Sequence, residues 1–223
     1  MKSSHANWQS LPGGFDVLNT RQLFPSDNPF GIPTLPHIGL SALPHWLAPY
    51  RTRIRSDRGV TDGAVHFFLD DYRFETVWSR PRKALQALQP YTTLLSPDFS
   101  LFADYPRALQ LFNTYRNRWC AAFWVAQGFT VIPSVSWAAP DSFDFCFAGL
   151  PEHSLLAVST VGVFRDSDRQ WFMVGFREMI ELLNPTMVLC YGQPIPGMDD
   201  LATTLKVYPD RWQGIRQARK QVR

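Results

Sequence analysis

Histidine, cysteine and long apolar runs are all scarce in this chain of 223 residues, and each scarcity closes off a chemistry. The three cysteines, Cys120, Cys146 and Cys190, lie far apart in apolar surroundings. No CxxC or Cys/His spacing is present, which argues against a zinc site. An odd count without paired spacing suits a reducing compartment, so free thiols and a cytoplasmic protein are expected. No run approaches the length of a membrane span, so no membrane contact is expected. Residues 1–8 lack the apolar segment of a signal peptide. The five histidines, at 5, 37, 45, 66 and 153, fall mostly away from the strand ends, and His66 reads as structural. There is no G-x-x-x-x-G-K-[ST] or G-x-G-x-x-G loop, and no G-x-S-x-G elbow or H-E-x-x-H pair. Charge of one sign is lacking too: the net charge is +3, too mild for a chain that binds nucleic acid by charge alone.

What the chain does have is a succession of short apolar runs, each stopping at a polar or glycine step. Val65–Leu69 stops at Asp70-Asp71, Thr92–Leu95 at Ser96-Pro97-Asp98, and Thr130–Val135 at Ser136-Trp137. Leu155–Val158 stops at Ser159-Thr160, and Met187–Cys190 at Tyr191-Gly192. Helical patterns separate the runs. A short helix is expected over Arg80–Gln89, and a long one runs from an N-cap at Asp104 to Gln127, where Gly128 stops it. Others cover Asp141–Phe147 and, after a polar loop at Arg165–Arg169, Gln170–Leu183. Arg116 and Arg118 of the long helix read as surface residues. Alternating strands and helices predict an α/β fold with a mainly parallel sheet, either an incomplete or distorted (β/α) barrel or an open sheet. Five runs are too few for a closed eight-stranded barrel unless the ends of the chain contribute strands.

Composition divides the chain in three. Residues 1–60 are proline-rich yet carry Trp8, Phe15, Phe24, Phe30, Ile32 and Trp46, which predicts an irregular arm packed on the domain; an arm that orders on a partner is the alternative. Residues 61–200 form the α/β core. Residues 201–223 form a basic tail. Arg51, Arg53 and Arg55 alternate, which would set three guanidiniums on one face of an extended segment. With Arg216, Arg219 and Lys220 of the tail they are the candidate nucleic-acid contacts, against the plainer reading of a solvated face.

Six motifs occur in order across residues 65–195: Phe-Phe-Leu-Asp-Asp-Tyr (67–72), Leu-Ser-Pro-Asp-Phe-Ser (95–100), Val-Ile-Pro-Ser-Val-Ser-Trp (131–137), Phe-Asp-Phe-Cys-Phe-Ala-Gly (143–149), Val-Ser-Thr-Val-Gly (158–162) and Leu-Cys-Tyr-Gly (189–192). They resemble the uncharacterised "domain of unknown function 4417" family of prokaryotes, phages and mobile elements. The resemblance implies no activity and transfers no catalytic residue.

The parallel pattern places candidate chemistry at the strand carboxyl ends. Asp70, Asp71 and Asp98 are the candidate catalytic carboxylates; converging there, they would act as acid and base or hold a divalent metal. Aspartates after strands also serve as turn formers. Ser136, Ser159 and Thr160 offer hydroxyls, and Trp137 and Tyr191 offer stacking surfaces. The expected function is a phage-type or mobile-element enzyme acting on a phosphate-bearing small molecule or a nucleic acid at that rim. The alternative is a non-catalytic protein that binds DNA, RNA or a host protein through its arginine-rich segment and basic tail.

Overall fold

The computed structural model describes residues 16–50, 62–201 and 204–210. Seven strands form: β1 (Trp46–Pro49), β2 (Gly63–His66), β3 (Thr93–Leu95), β4 (Thr130–Ile132), β5 (Leu155–Ser159), β6 (Met187–Tyr191) and β7 (Leu205–Tyr208). Five helices accompany them: α1 (Thr76–Ser79), α2 (Pro81–Leu88), α3 (Arg107–Ala126), α4 (Phe143–Cys146) and α5 (Asp166–Leu183). Every strand pair is parallel, in the orders β1-β2-β3-β4 and β5-β6-β7. The two sheets meet at the Ser134–Ala157 bridge, where Val135 N–H reaches the Ala157 carbonyl at 2.8 Å and Ala157 N–H reaches Pro133 at 2.8 Å. Strand order therefore follows chain order across both sheets. No ladder joins β7 to β1 among the described residues; instead the Tyr208 hydroxyl donates to the Pro44 carbonyl just before β1. The result is an incomplete barrel. The proline-rich arm and the tail each supply an edge strand.

The period-2 alternation of strand side chains sorts the apolar residues into an inside and an outside. Ala64, Leu95, Ile132, Leu155, Ala157, Leu189, Tyr191 and Tyr208 form a central cluster. The residues between them point the other way. Val65, Leu94 and Val131 pack with Trp78, Leu88, Trp119 and Phe123 of the helices. Leu156, Val158, Val188 and Cys190 pack with Phe145, Phe176, Met179 and Leu183. Each such residue, fully buried, contributes about 1.5–3 kcal/mol. The three cysteines lie in these outer layers, buried and unpaired. Burial pushes the Cys190 thiol up to about 11 and the Cys146 thiol to about 12, so they behave as small apolar side chains.

Two helix starts differ from the sequence pattern. α3 begins at Arg107 with Pro106, not Asp104, at its N-cap. α5 begins at Asp166, so the charged stretch 165–169 is its first turn rather than a loop. Asp168 accepts the Arg165 N–H at 3.1 Å, and Asp166 and Asp168 sit where the helix dipole favours negative charge.

Residues 16–45 cross the molecule without regular strands, held by backbone groups. Asn19 Nδ2 donates to the Trp78 carbonyl at 2.9 Å, and Trp119 Nε1 donates to Gln22 at 2.8 Å. Leu35 N–H meets the Gly149 carbonyl at 2.9 Å, and Leu155 N–H meets Ile38 at 2.9 Å. Gly149 has φ +71°, and a Cβ there would lie 2.2 Å from the Pro33 carbonyl oxygen. Gly149→Ala is therefore expected to destabilise the protein by about 2 kcal/mol or more, read from chemical denaturation. An unchanged midpoint would mean that this crossing is not tightly packed.

Candidate functional site

The longest helix has an unusual buried face. Gln110, Asn113, Thr114, Asn117 and Arg118 of α3 are all buried, at most 7% exposed. Their spacing of three and four places them along one helical stripe, turned toward the loops that follow β3 and β4. A stripe that an ordinary helix fills with leucine is here filled with amides, a hydroxyl and a guanidinium, and buried polar groups must be hydrogen-bonded. Gln110 Nε2 donates to the carbonyls of Phe102 and Tyr105, both at 3.0 Å. Asn113 Nδ2 donates to Ser100 at 2.7 Å, and Asn117 Nδ2 to Ser134 at 3.3 Å.

Arg118 is the centre of this face. It is 2% exposed and donates to the carbonyls of Cys146 (2.8 Å), Ser134 (3.3 Å) and Ala148 (3.3 Å), and to Asn117 Oδ1 (2.7 Å). The expectation of a surface residue is thus overturned, because four acceptors from three segments replace its water shell. Burial pulls its pKa down to about 10 while the nearby Cys146 and Asp98 pull it back up, so the guanidinium stays charged at neutral pH.

Asp98 follows β3 and faces this charge. Its outer edge reaches the rim, but Oδ1 is sealed from solvent and has no hydrogen-bond partner. Burial raises its pKa to about 7, reinforced by the Asp71 carboxylate and opposed by the Ser136 hydroxyl and the Arg118 charge. Asp98 is therefore poised between acid and base near neutral pH. A crevice lined by Phe99, Asn113, Asn117, Arg118, Ser136 and Cys146, among others, is shared with the neighbours of Asp98 rather than with Asp98 itself, and leaves no room for a water molecule.

Only some of the expected rim residues join this cluster. Asp71 lies close enough to act on Asp98, but its carboxylate is engaged by Ser100, accepting the N–H at 3.2 Å and the hydroxyl at 2.9 Å. It ties the β2 loop to the β3 loop. Asp70 is exposed and sits 3.9 Å from Arg73 instead. Among the described residues no group of three or more His, Cys, Asp or Glu side chains gathers as a metal site would, so the three aspartates do not converge as one ligand set. Trp137 lies against Phe172 (5.0 Å) and over Gly175 of α5, where a Cβ would lie 2.3 Å from its ring. Ser159 and Thr160 donate to the Tyr191 carbonyl at 3.5 and 3.4 Å and close the end of β6. Tyr191 belongs to the barrel interior, 4.2 Å from the His66 ring and 5.4 Å from Phe68. Arg51, Arg53, Arg55, Arg216, Arg219 and Lys220 lie outside the described residues.

Arg118, Asn113 and Asn117 were not among the residues expected at the site. The signal was present in Gln110, Asn113, Thr114 and Asn117, whose spacing of three, four and seven marks one face. A second arginine network borders the cluster. Arg116 pairs with Glu75 at 2.9 Å, donates to Asn113 Oδ1 at 2.7 Å and lies 3.9 Å over the Phe99 ring.

The model of the family described as "Domain of unknown function (DUF4417)" matches residues 24–209, from the arm to the end of β7. The chain belongs to this family. The Gene 1 protein of Mycobacterium phage D29 is 44% identical over 223 residues, covering 98% of this chain and 80% of the relative. The Gene 1 protein of Mycobacterium phage L5 is 43% identical over 212 residues, covering 94% of this chain and 91% of that relative. No solved structure matches the chain. The DUF4417 match takes in Asp71, Asp98, Arg118 and Ser136, and both phage relatives span nearly all of this chain. No helix of the described residues is long and apolar enough to cross a membrane.

The Asp98 geometry predicts a pH signature. Its folded pKa of about 7 lies above the ordinary 3.8, so the folded state holds the proton more tightly than the unfolded chain. The contribution of Asp98 to stability is then fully present below pH 4 and is lost as pH rises through 7. Asp98→Asn removes that loss, which is up to about 4 kcal/mol before the water at the outer edge of the residue reduces it. Urea denaturation of both proteins across this range should show the variant gaining on the wild type as pH rises. Parallel profiles would make Asp98 an ordinary solvated carboxylate.

Proposed function

We propose that this phage-type protein is an enzyme whose site lies at the carboxyl ends of β3 and β4, with Asp98 as its general acid–base and a small phosphate-bearing molecule as its substrate. The observation that carries the reading is the Asp98 carboxyl, with its sealed, unpartnered oxygen and near-neutral pKa, met by the hydroxyl of Ser136, which lines the neighbouring crevice. A protonated Asp98, the Ser136 hydroxyl and the Arg118 charge suit phosphate oxygens, while the Asn113, Thr114 and Asn117 side chains are held by backbone carbonyls. As the phosphorus–oxygen bond to the leaving group breaks, Asp98 would give that oxygen its proton, and it would recover one from the water that forms the new phosphorus–oxygen bond. Arg118 and Asn117 would hold the β4 loop, and with it Ser136, in place. The crevice must open to admit a ligand. The test is hydrolysis of p-nitrophenyl phosphate and bis(p-nitrophenyl) phosphate, with the thermal shift given by inorganic phosphate read alongside. Turnover of either ester, abolished by Asp98→Asn in a protein whose melting temperature is no lower than that of the wild type, is expected. Absence of both turnover and thermal shift would contradict the reading.

A second reading rests on where the charge sits. The described residues hold twelve Lys and Arg against eighteen Asp and Glu, so the basic surplus lies elsewhere in the chain. Residues 51–61 contribute four arginines against one aspartate, and residues 211–223 five basic residues and no acid. Nucleic-acid binding through Arg51, Arg53, Arg55, Arg216, Arg219 and Lys220 is the function this favours. Releasing about four counterions would give a log–log salt slope of about −3 to −4 for a labelled duplex. Binding that is flat with salt would leave these residues as a solvated face.

A further inference from the structure

The exposed aromatic side chains of the described residues all fall on one end of the barrel. Tyr72 (80% exposed) follows β2, Phe102 (53%) and Tyr105 (37%) follow β3, Phe164 (78%) follows β5, and Trp171 (54%) lies in the second turn of α5. In a parallel sheet the segments after the strands share one rim. The other large exposed apolar residues of the described chain are all aliphatic. Phe102 and Tyr105 touch edge to face with ring centres 5.0 Å apart, leaving their remaining faces to solvent. Exposed aromatics that all follow strands, and so share one rim, point to an interaction surface rather than ordinary surface scatter.

Charge narrows the occupant. The segments that carry these aromatics and the β4 loop between them (67–75, 96–107, 133–144 and 160–171) hold nine Asp and Glu against four Arg. Three of those arginines are already paired within the rim: Arg73 with Asp70, Arg107 with Asp144, and Arg169 with Asp166. The other described residues are nearly balanced, with nine acids against eight bases. A nucleic acid lying across the rim would set a run of phosphates over these carboxylates, most of them beyond reach of the buried Arg118 charge. A second copy of the same face would bring two acidic rims together, and like charges across an interface are repelled. A cationic polypeptide meets both properties of the face.

We propose that this rim is the docking face for a partner protein's Lys/Arg-rich segment, with Tyr72, Phe102 and Phe164 as anchors for the aliphatic stems and apolar side chains between its charges. The carboxylates steer the segment in, and the rings supply the contact area that charge alone lacks. Docking over the β2 to β5 loops would also place the partner at the mouth of the Asp98 crevice. The proposal stands whether or not Asp98 is catalytic, because it is read from binding alone.

The test is fluorescence anisotropy of the full chain with a short fluorescein-labelled peptide in which Lys and Arg alternate with Leu. The same peptide with Glu in place of the cations is the control. Binding of the cationic peptide, weakened by salt and at least about tenfold weaker in the Tyr72→Ser/Phe164→Ser protein, is expected. Both side chains stand in solvent, so the melting temperature of that variant should match the wild type. Equal affinity in the variant, or equal binding of the Glu peptide, would overturn the proposal. So would a duplex DNA or a self-association that is lost in the same variant, since the face would then serve another occupant. Binding that appears only after residues 211–223 are removed would assign the face to the chain's own tail.

Discussion

The site depends on one buried charge. The Arg118 guanidinium, carried by the middle of α3, reaches carbonyls at Ser134, Cys146 and Ala148. These lie in the loop after β4, in α4 and in the turn that follows it. A charge so enclosed is tolerated only when its donors are filled, and the filling fixes where those segments lie. The β4 loop carries Ser136, which meets Asp98, while Asn117 repeats the contact with Ser134 one position earlier on the helix. Removing the guanidinium would leave buried carbonyls without donors, so the arginine and the loop positions are coupled rather than additive.

The second constraint comes from the other side. Asp71 fixes the β3 loop through Ser100, whose carbonyl accepts from Asn113 of α3. Asn113 in turn accepts from Arg116, which is paired with Glu75 at the start of α1. A continuous hydrogen-bonded path therefore runs from the β2 loop through the β3 loop to α3 and back to α1. Within this frame Asp98 is the member whose Oδ1 finds no partner. A rigid surround holding one unsatisfied, near-neutral carboxyl is the combination that acid–base chemistry requires.

Much of the fold was legible because β2 to β6 are short apolar runs with clear stops, and because the helices between them keep a 3.6-residue period. β1 and β7 were not legible. Trp46–Pro49 ends in proline, and Lys206 interrupts Leu205–Tyr208, so neither looks like a buried strand. They are edges, and edges need only one neighbour. The start of α5 was hidden by charge: Asp166 and Asp168 resemble a loop until the helix dipole gives them a place. Of the site, Asp98, Asp71 and Ser136 could be read from their position after strands, which register in a parallel sheet brings together. Ser159, Thr160, Trp137 and Tyr191 share that position yet serve turns and packing, because position in the sequence does not say which way a side chain turns. Arg118 was misread because arginine on a helix is usually a surface residue; only the polar stripe around it signals burial.

The surroundings of Asp98 hold its carboxyl near neutrality. A carbon-13 NMR titration of that carboxyl in the intact protein measures this directly. The expected midpoint is near pH 7, about three units above a free aspartate. A midpoint near 4 would show that solvent reaches both oxygens, and the rim cluster would then be scaffolding without an acid–base centre.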